Sequence, residues 1–319
     1  MTGLVLRRLA QLPLVLLAVF ALTFTLAWVA PGSPFDDAEG RRPAPEVREA
    51  MLRRYRLDDP VGFFVDYLGR ASGVSWAVGA APRPFDLGPS LRHPDRSVNE
   101  IIADGLPISM SIGVAAIAIA ATVGTAAGLV GALRPGTAAD AAAQLLAVLG
   151  VSVPVFVSGS VLLILFCARL GWFPVGGWDG ARSLALPALA LSLVPAAYVA
   201  RLMRASMLEQ MSSDYMRTAR AKGLSRRDAA LRHAVRNAFR PVLSYLGPAT
   251  AFAVTGSFVV EKVFAVPGLG QHFVSAVLSK DITLLMGVVL VLATLVVLLN
   301  LAVDVLYAWL DPRVSVSAA

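Results

Sequence analysis

Residues 214–240 read DYMRTARAKGLSRRDAALRHAVRNAFR and lie between two runs without a charged side chain nearby, Ser183 to Ala200 before them and Pro241 to Val260 after. Crossing about 30 Å of hydrocarbon at 1.5 Å rise per residue takes roughly 20 apolar residues. The flanking runs therefore read as membrane helices, and the polar stretch between them as a loop on one side of a bilayer. From Arg201 to Arg240 the loop holds ten Lys and Arg, at positions 201, 204, 217, 220, 222, 226, 227, 232, 236 and 240, against Glu209, Asp214 and Asp228. Its net charge of +7 equals that of the whole 319-residue chain, so the charge of everything else sums to zero.

Outward from this loop the same pattern repeats. The chain is 57% hydrophobic and 15% charged, with a mean hydropathy of +0.69, too apolar for an ordinary soluble domain. Six charge-free runs are long enough to span: Leu9 to Val29, Leu106 to Leu133, Ala141 to Ala168, Ser183 to Ala200, Pro241 to Val260, and Ile282 to Val303. The expected fold is an all-α integral membrane protein of six transmembrane helices. The fourth span carries Pro187 and Pro195, which a membrane helix tolerates when neighbours satisfy the freed carbonyls. The first follows Arg7 and Arg8, with Ala27 and Ala30 imitating a cleavage site. It is longer than the 7 to 15 residues of a secretory apolar region and is read as a retained helix.

Orientation follows from Lys and Arg in the short loops. With the N-terminus inside, one side holds fourteen, including Arg7, Arg8, Arg134, the ten of the basic loop and Arg313. The short loops of the other side hold Arg169, Arg182, Lys262 and Lys280. Both termini are expected in the cytoplasm, with the last helix reaching residue 308 and a tail of 309–319. The outer loop 261–281 and the outer segment 31–105 then face away from it. Segment 31–105 carries 12 acidic and 10 basic residues and reads as a small cap, with helices at Pro45 to Arg56 (Val47, Met51 and Leu52 on one side) and Val61 to Leu68, and loop over Pro82 to Asp95. Cys167 is the only cysteine, and none of His93, His233 and His272 lies in an apolar run. Neither a disulfide nor a metal cluster is expected.

Within the basic loop, Ser213 or Asp214 is placed to cap a helix through Tyr215 to Lys222, and Gly223 suits the left-handed position that ends it. Ala219 and Ala221 form a small-residue patch between Arg217, Arg220 and Lys222. Ser225 and Asp228 fit a capping box in its Asp form, opening a second helix that Pro241 ends. A lipid-bound helix requires a broad apolar face, which Tyr215 to Gly223 lacks. A surface made for another protein fits better.

These residues resemble a known family. Asp214-Tyr215, Thr218-Ala219-Arg220-Ala221-Lys222-Gly223-Leu224, Arg232-His233-Ala234, Arg236-Asn237 and Pro241 are similar to the cytoplasmic coupling loop of ABC importer permeases for peptides. Ala30-Pro31-Gly32-Ser33-Pro34-Phe35, Leu57-Asp58-Asp59-Pro60, Phe85-Asp86-Leu87-Gly88-Pro89-Ser90, Trp172-Phe173-Pro174, Val263-Phe264 with Pro267-Gly268-Leu269-Gly270, and Asp304 to Tyr307 with Asp311-Pro312-Arg313 extend the likeness over almost the whole chain. Gly176-Gly177-Trp178 and Ser244-Tyr245-Leu246-Gly247-Pro248 point to the B-type permease of oligopeptide importers. One departure stands out: the general loop motif begins Glu-Ala-Ala, where this chain has Arg217-Thr218-Ala219. The resemblance implies a type I ABC importer permease fold and a coupling helix, Tyr215 to Gly223, seated in a groove of an ATPase subunit. It also implies a second related permease, two P-loop ATPases that carry the ATP and Mg, an extracytoplasmic substrate-binding protein, and a peptide substrate. Dipeptide and nickel permeases share most of these motifs.

The chain has no Gly-x-x-x-x-Gly-Lys-Ser/Thr loop, its lysines being 222, 262 and 280. Energy must come from another polypeptide or from an ion gradient. An ion-coupled carrier requires carboxylates or histidines within the spans, and Asp304 alone comes near one, close to a helix end. A membrane protease at Ser158-Gly159-Ser160 lacks a base. Small and hydroxyl residues, Ser152, Ser158, Ser160, Thr250, Thr255 and Ser257, are candidates for a polar pathway or, equally, for helix contacts.

Overall fold

The computed structural model describes residues 2–32, 35, 45–93, 95–256 and 258–310, with the side chains of 2–4, 45, 47, 48, 54 and 306–310 left aside. Ser33, Pro34, Ser257 and the 311–319 tail, with its Asp311-Pro312-Arg313, lie outside the described residues, as do the side chains of Val47 and Tyr307.

The helices run in the order α1 (Thr2–Val29), α2 (Pro45–Arg54), α3 (Pro60–Ala71), α4 (Val74–Ala77), α5 (Val98–Leu133), α6 (Ala138–Ser152), α7 (Val155–Leu162), α8 (Ala181–Met211), α9 (Asp214–Ala221), α10 (Arg226–Ala229), α11 (Val235–Ala238), α12 (Arg240–Val254), α13 (Phe258–Val263), α14 (Leu269–Ser279) and α15 (Ile282–Leu310). A π-helical turn follows α7 and another joins α10 to α11. Among the described residues the only β pairing is an isolated bridge between Pro89 and Ser97.

Four helices are each long and apolar enough to cross a membrane, at Val5–Val29, Val98–Leu133, Ala181–Met211 and Ile282–Val305. Ala138–Ser152 and Val155–Arg169 make a fifth if the pair, bent by 107°, is one broken span. The count of six is thus not reproduced as continuous helices. The difference lies at the run Pro241 to Val260, where α12 stops after 15 residues, about 22 Å at 1.5 Å per residue and short of a hydrocarbon core. Gly256 follows with φ of +93°, a left-handed turn that a continuing helix does not contain. Apolarity predicts that a segment is buried in lipid, not that its backbone stays helical. The fourth helix differs in the other sense: it runs unbroken through Pro187 and Pro195 to Met211, so that residues 201–211, expected in the loop, are helical.

The chain forms two compact units, Met1–Ile108 with Gly268–Leu298, and Ser109–Pro267 with Leu299–Ala319. In the first, Phe20, Phe24 and Trp28 of α1 meet Phe63, Phe64 and Tyr67 of α3 at ring separations of 4.8–6.1 Å, within the range of favourable aromatic pairs. Asp59 caps α3 by accepting from the Gly62 N–H at 2.9 Å. Tyr67 is buried and donates to the Thr283 carbonyl at 3.0 Å; burial pushes its phenol well above the usual range. Asp281, fully buried, accepts from Ser90 Oγ, from the Arg92 N–H at 3.2 Å, from Thr283 Oγ1 at 2.9 Å and from the Leu284 N–H at 3.0 Å. One carboxylate thereby caps α15 and ties down the Pro-rich loop of the outer segment.

Candidate functional site

The basic hairpin is built on α8. Serine 213 occupies the N-cap position of α9, but its hydroxyl donates to the Gln210 carbonyl instead of accepting from α9. Tyr215 hydroxyl donates to Gln210 Oε1 at 2.9 Å, and Thr218 hydroxyl to the Asp214 carbonyl at 3.1 Å. Helix α9 ends on Lys222, and Gly223 adopts φ of +91°, the left-handed end that its position suggests. Ser225 accepts from the Asp228 N–H at 3.1 Å, the N-cap half of the expected capping box, while the Asp228 carboxylate takes its bond from the Ser225 hydroxyl and not from the Ser225 N–H that a full box uses. The chain then turns at Phe239, and Pro241 sits in the first turn of α12.

An alanine stripe holds the hairpin down. Ala230, Ala234, Ala238 and Val242 recur at every fourth position and, with Ala229, are fully buried. They pack with Val199, Met203 and Met207 of α8, and with Met216 and Ala219 of α9. Small side chains allow two backbones to approach, and the flexible methionines fill what remains. Ala219 therefore turns inward, at 9% exposure, and does not share an open patch with Ala221. At 100° per residue, positions 216 and 219 share a face that 221 leaves. Asp214, Tyr215, Arg217, Thr218, Arg220, Ala221, Lys222 and Gly223 are exposed. Arg217, Arg220, Ala221, Gly223, Leu224, Ser225 and Arg226 line an open groove of about 630 Å³. Arg232, His233, Arg236 and Pro241, expected to support the loop, are also exposed and Asn237 is half-buried, while the fully buried contacts of the hairpin come from the alanines.

Behind the hairpin lies a contact that sequence reasoning missed. Arg204 of α8 donates from Nε to Asp140 Oδ1 at 2.7 Å and from its terminal nitrogen to Oδ2 at 2.8 Å, across 64 residues. Asp140 is 2% exposed and accepts also from Gln144 Nε2 and the Gly136 N–H, each at 3.0 Å. A carboxylate with four donors, two of them from one guanidinium, is well satisfied. Arg204 is thus no part of the free positive surface. Helix α5 crosses α8 through Gly124 and Gly128, where a Cβ would lie 2.6 and 2.5 Å from the carbonyl oxygens of Ala196 and Ala200. The four-residue spacing of these glycines was the available signal. Glu261, at 1% exposure, accepts from Ser109 Oγ at 2.8 Å.

Ser152 and Ser160 are exposed, while Ser158, Thr250 and Thr255 are half-buried. Ser158, Ser160, Thr250 and Thr255 donate to carbonyls three or four residues back at 2.6–3.1 Å, and Ser257 lies outside the described residues. Asp304 is half-buried in α15.

Several apolar helices long enough to span a bilayer, one of them running on into a braced basic hairpin, define a multi-pass membrane protein. The chain belongs to the family of binding-protein-dependent transport system inner membrane components, which residues 103–316 match; residues 1–113 match the N-terminal region of such membrane components. It is 40% identical over 300 residues to the dipeptide transport system permease protein DppB of Bacillus subtilis (strain 168), covering 94% of this chain and 93% of that protein. It is 39% identical to the oligopeptide transport system permease protein OppB of Haemophilus influenzae, with 97% of each chain covered. For OppB of Escherichia coli (strain K12) the identity is 38%, over 97% and 98%. Among solved structures, the MetNI methionine ABC transporter in inward-facing conformations matches 67% of this chain and 97% of its own with a TM-score of 0.56 at 17% identity. An amino acid ABC transporter crystallised with histidines matches 68% and 95%, with a TM-score of 0.50 at 16%. The fold is that of type I ABC importer permeases.

Proposed function

We propose that this chain is one of two related permease subunits of an importer that carries oligopeptides into the cytoplasm. Two P-loop ATPases, which bind the ATP and Mg, supply the energy, and an extracytoplasmic binding protein delivers the cargo. The hairpin 212–239 faces the cytoplasm, as do both termini, and α9 is the coupling helix. The observation that carries this reading is a braced hairpin whose outward face holds Arg217, Arg220 and Arg226 around a groove, complementary to a partner's carboxylates. The names of its relatives favour a peptide cargo and divide between dipeptide and oligopeptide. A dipeptide importer is the second reading for that reason. Reconstitution with the partner subunits, followed by uptake of labelled dipeptides and longer peptides, tests the cargo. Longer peptides are expected to enter with ATP; uptake confined to dipeptides contradicts the oligopeptide assignment, and uptake of a nickel chelate alone contradicts a peptide cargo.

A further inference from the structure

We propose that Asp140 and Arg204 are positioning residues for energy coupling: a rigid joint through which displacement of the hairpin is passed to α5 and α6. The inference rests on the importer reading above and adds to it a residue pair outside the hairpin. Three features single out the pair. First, it is a two-point contact, both guanidinium bonds being 2.7–2.8 Å, and such a fork fixes orientation as well as distance. Second, it sits where three segments meet: a Cβ at Gly131 of α5 would lie 2.9 Å from Asp140 Oδ1 and 3.3 Å from Arg204 Cδ, and Gly136 of the intervening loop donates to the same carboxylate. Third, Arg204 directly follows Met203, whose side chain, with Met207, is fully buried against Met216 and Ala219 of α9. One stretch of α8 thus grips the hairpin with its methionines and α6 with its arginine. The path from α9 to α6 runs through buried side chains and a two-point ion pair.

A pair kept only for folding alters how much complex assembles but not how each assembled complex uses ATP. The ratio of peptide transported to ATP hydrolysed separates the two roles. The experiment uses the complete reconstituted complex, carrying wild type, Asp140→Asn, Arg204→Lys or Ala221→Leu. Arg204→Lys keeps the charge and loses the fork; Asp140→Asn keeps the shape and loses the charge. Both are expected to hydrolyse ATP while peptide per ATP falls roughly fivefold or more, within the range of site-to-site coupling. An unchanged ratio in either variant overturns the proposal, and so does failure of both to assemble, which assigns the pair to folding alone. Absence of ATP-dependent uptake in the wild-type complex instead overturns the importer reading. Loss of uptake in Ala221→Leu beside an unchanged ratio in the Asp140 and Arg204 variants overturns the joint while leaving that reading intact.

Discussion

At Gly128 a methyl group would meet the Ala200 carbonyl oxygen at 2.5 Å and Met203 Cβ at 2.7 Å, whereas at Gly223 it would meet nothing within 4 Å. Two glycines are therefore required for different reasons. Gly128→Ala forces α5 away from α8 and is expected to cost about 1–3 kcal/mol. Gly223→Ala strains only a backbone at φ of +91°, for roughly 1 kcal/mol. Gly223→Asn should recover part of that loss, since Asn tolerates the left-handed region, and no such rescue exists at 128. Thermal midpoints of the purified variants decide the matter, equal losses with no rescue by Asn counting against it. His272 carries a pH dependence. Burial lowers the pKa of His272, aided by Arg96 and His93 and opposed by Asp104. In the window between the depressed value and the usual 6.5, the unfolded chain binds a proton that the folded chain does not, so stability rises with pH there. The contribution is constant above 6.5 and is lost as pH falls. His272→Gln is expected to flatten the wild-type decline in thermal midpoint below pH 6.5, and an unaltered decline would contradict this.

Helix α9 has an inward and an outward face, which makes its two alanines opposite tests. Ala219→Leu overpacks the contact with Met216 and Met207, and a loss of about 1–3 kcal/mol is expected. Ala221→Leu points into the open groove and should leave stability within about 0.5 kcal/mol, while abolishing ATP-driven uptake. Limited proteolysis of the hairpin beside uptake measurements checks both, and the reverse pattern would mean that α9 lies the other way round. Much of this element was legible in the sequence: Gly223 ends a helix and Ser225-Arg226-Arg227-Asp228 opens the next because their chemistry is local. The face that α9 presents was not, because it depends on the alanine stripe 230, 234, 238, which in turn needs α8 beneath it. The extension of α8 to Met211 was hidden by Arg201 and Arg204, which read as loop. The charge of Arg204 is met by Asp140, 64 residues earlier, and no local pattern announces such a partner. The break at Gly256 was equally hidden, since a span is recognised by apolarity and a single left-handed residue does not alter that.

For the whole molecule, the membrane class and the family follow from hydropathy and motif order, whereas the number of continuous spans, the direction of transport and the source of energy do not. The last two rest on the proposed partner subunits. The most direct measurement is peptide accumulation in proteoliposomes holding this chain and its permease partner, with and without the ATPase subunits, under an imposed ion gradient or with ATP on the hairpin side. Accumulation is predicted only with the ATPases present and ATP supplied, and it should vanish with Ala221→Leu in the otherwise intact complex. Accumulation driven by the ion gradient with no ATPase present would contradict the assignment of the hairpin as the point at which the energy of hydrolysis enters.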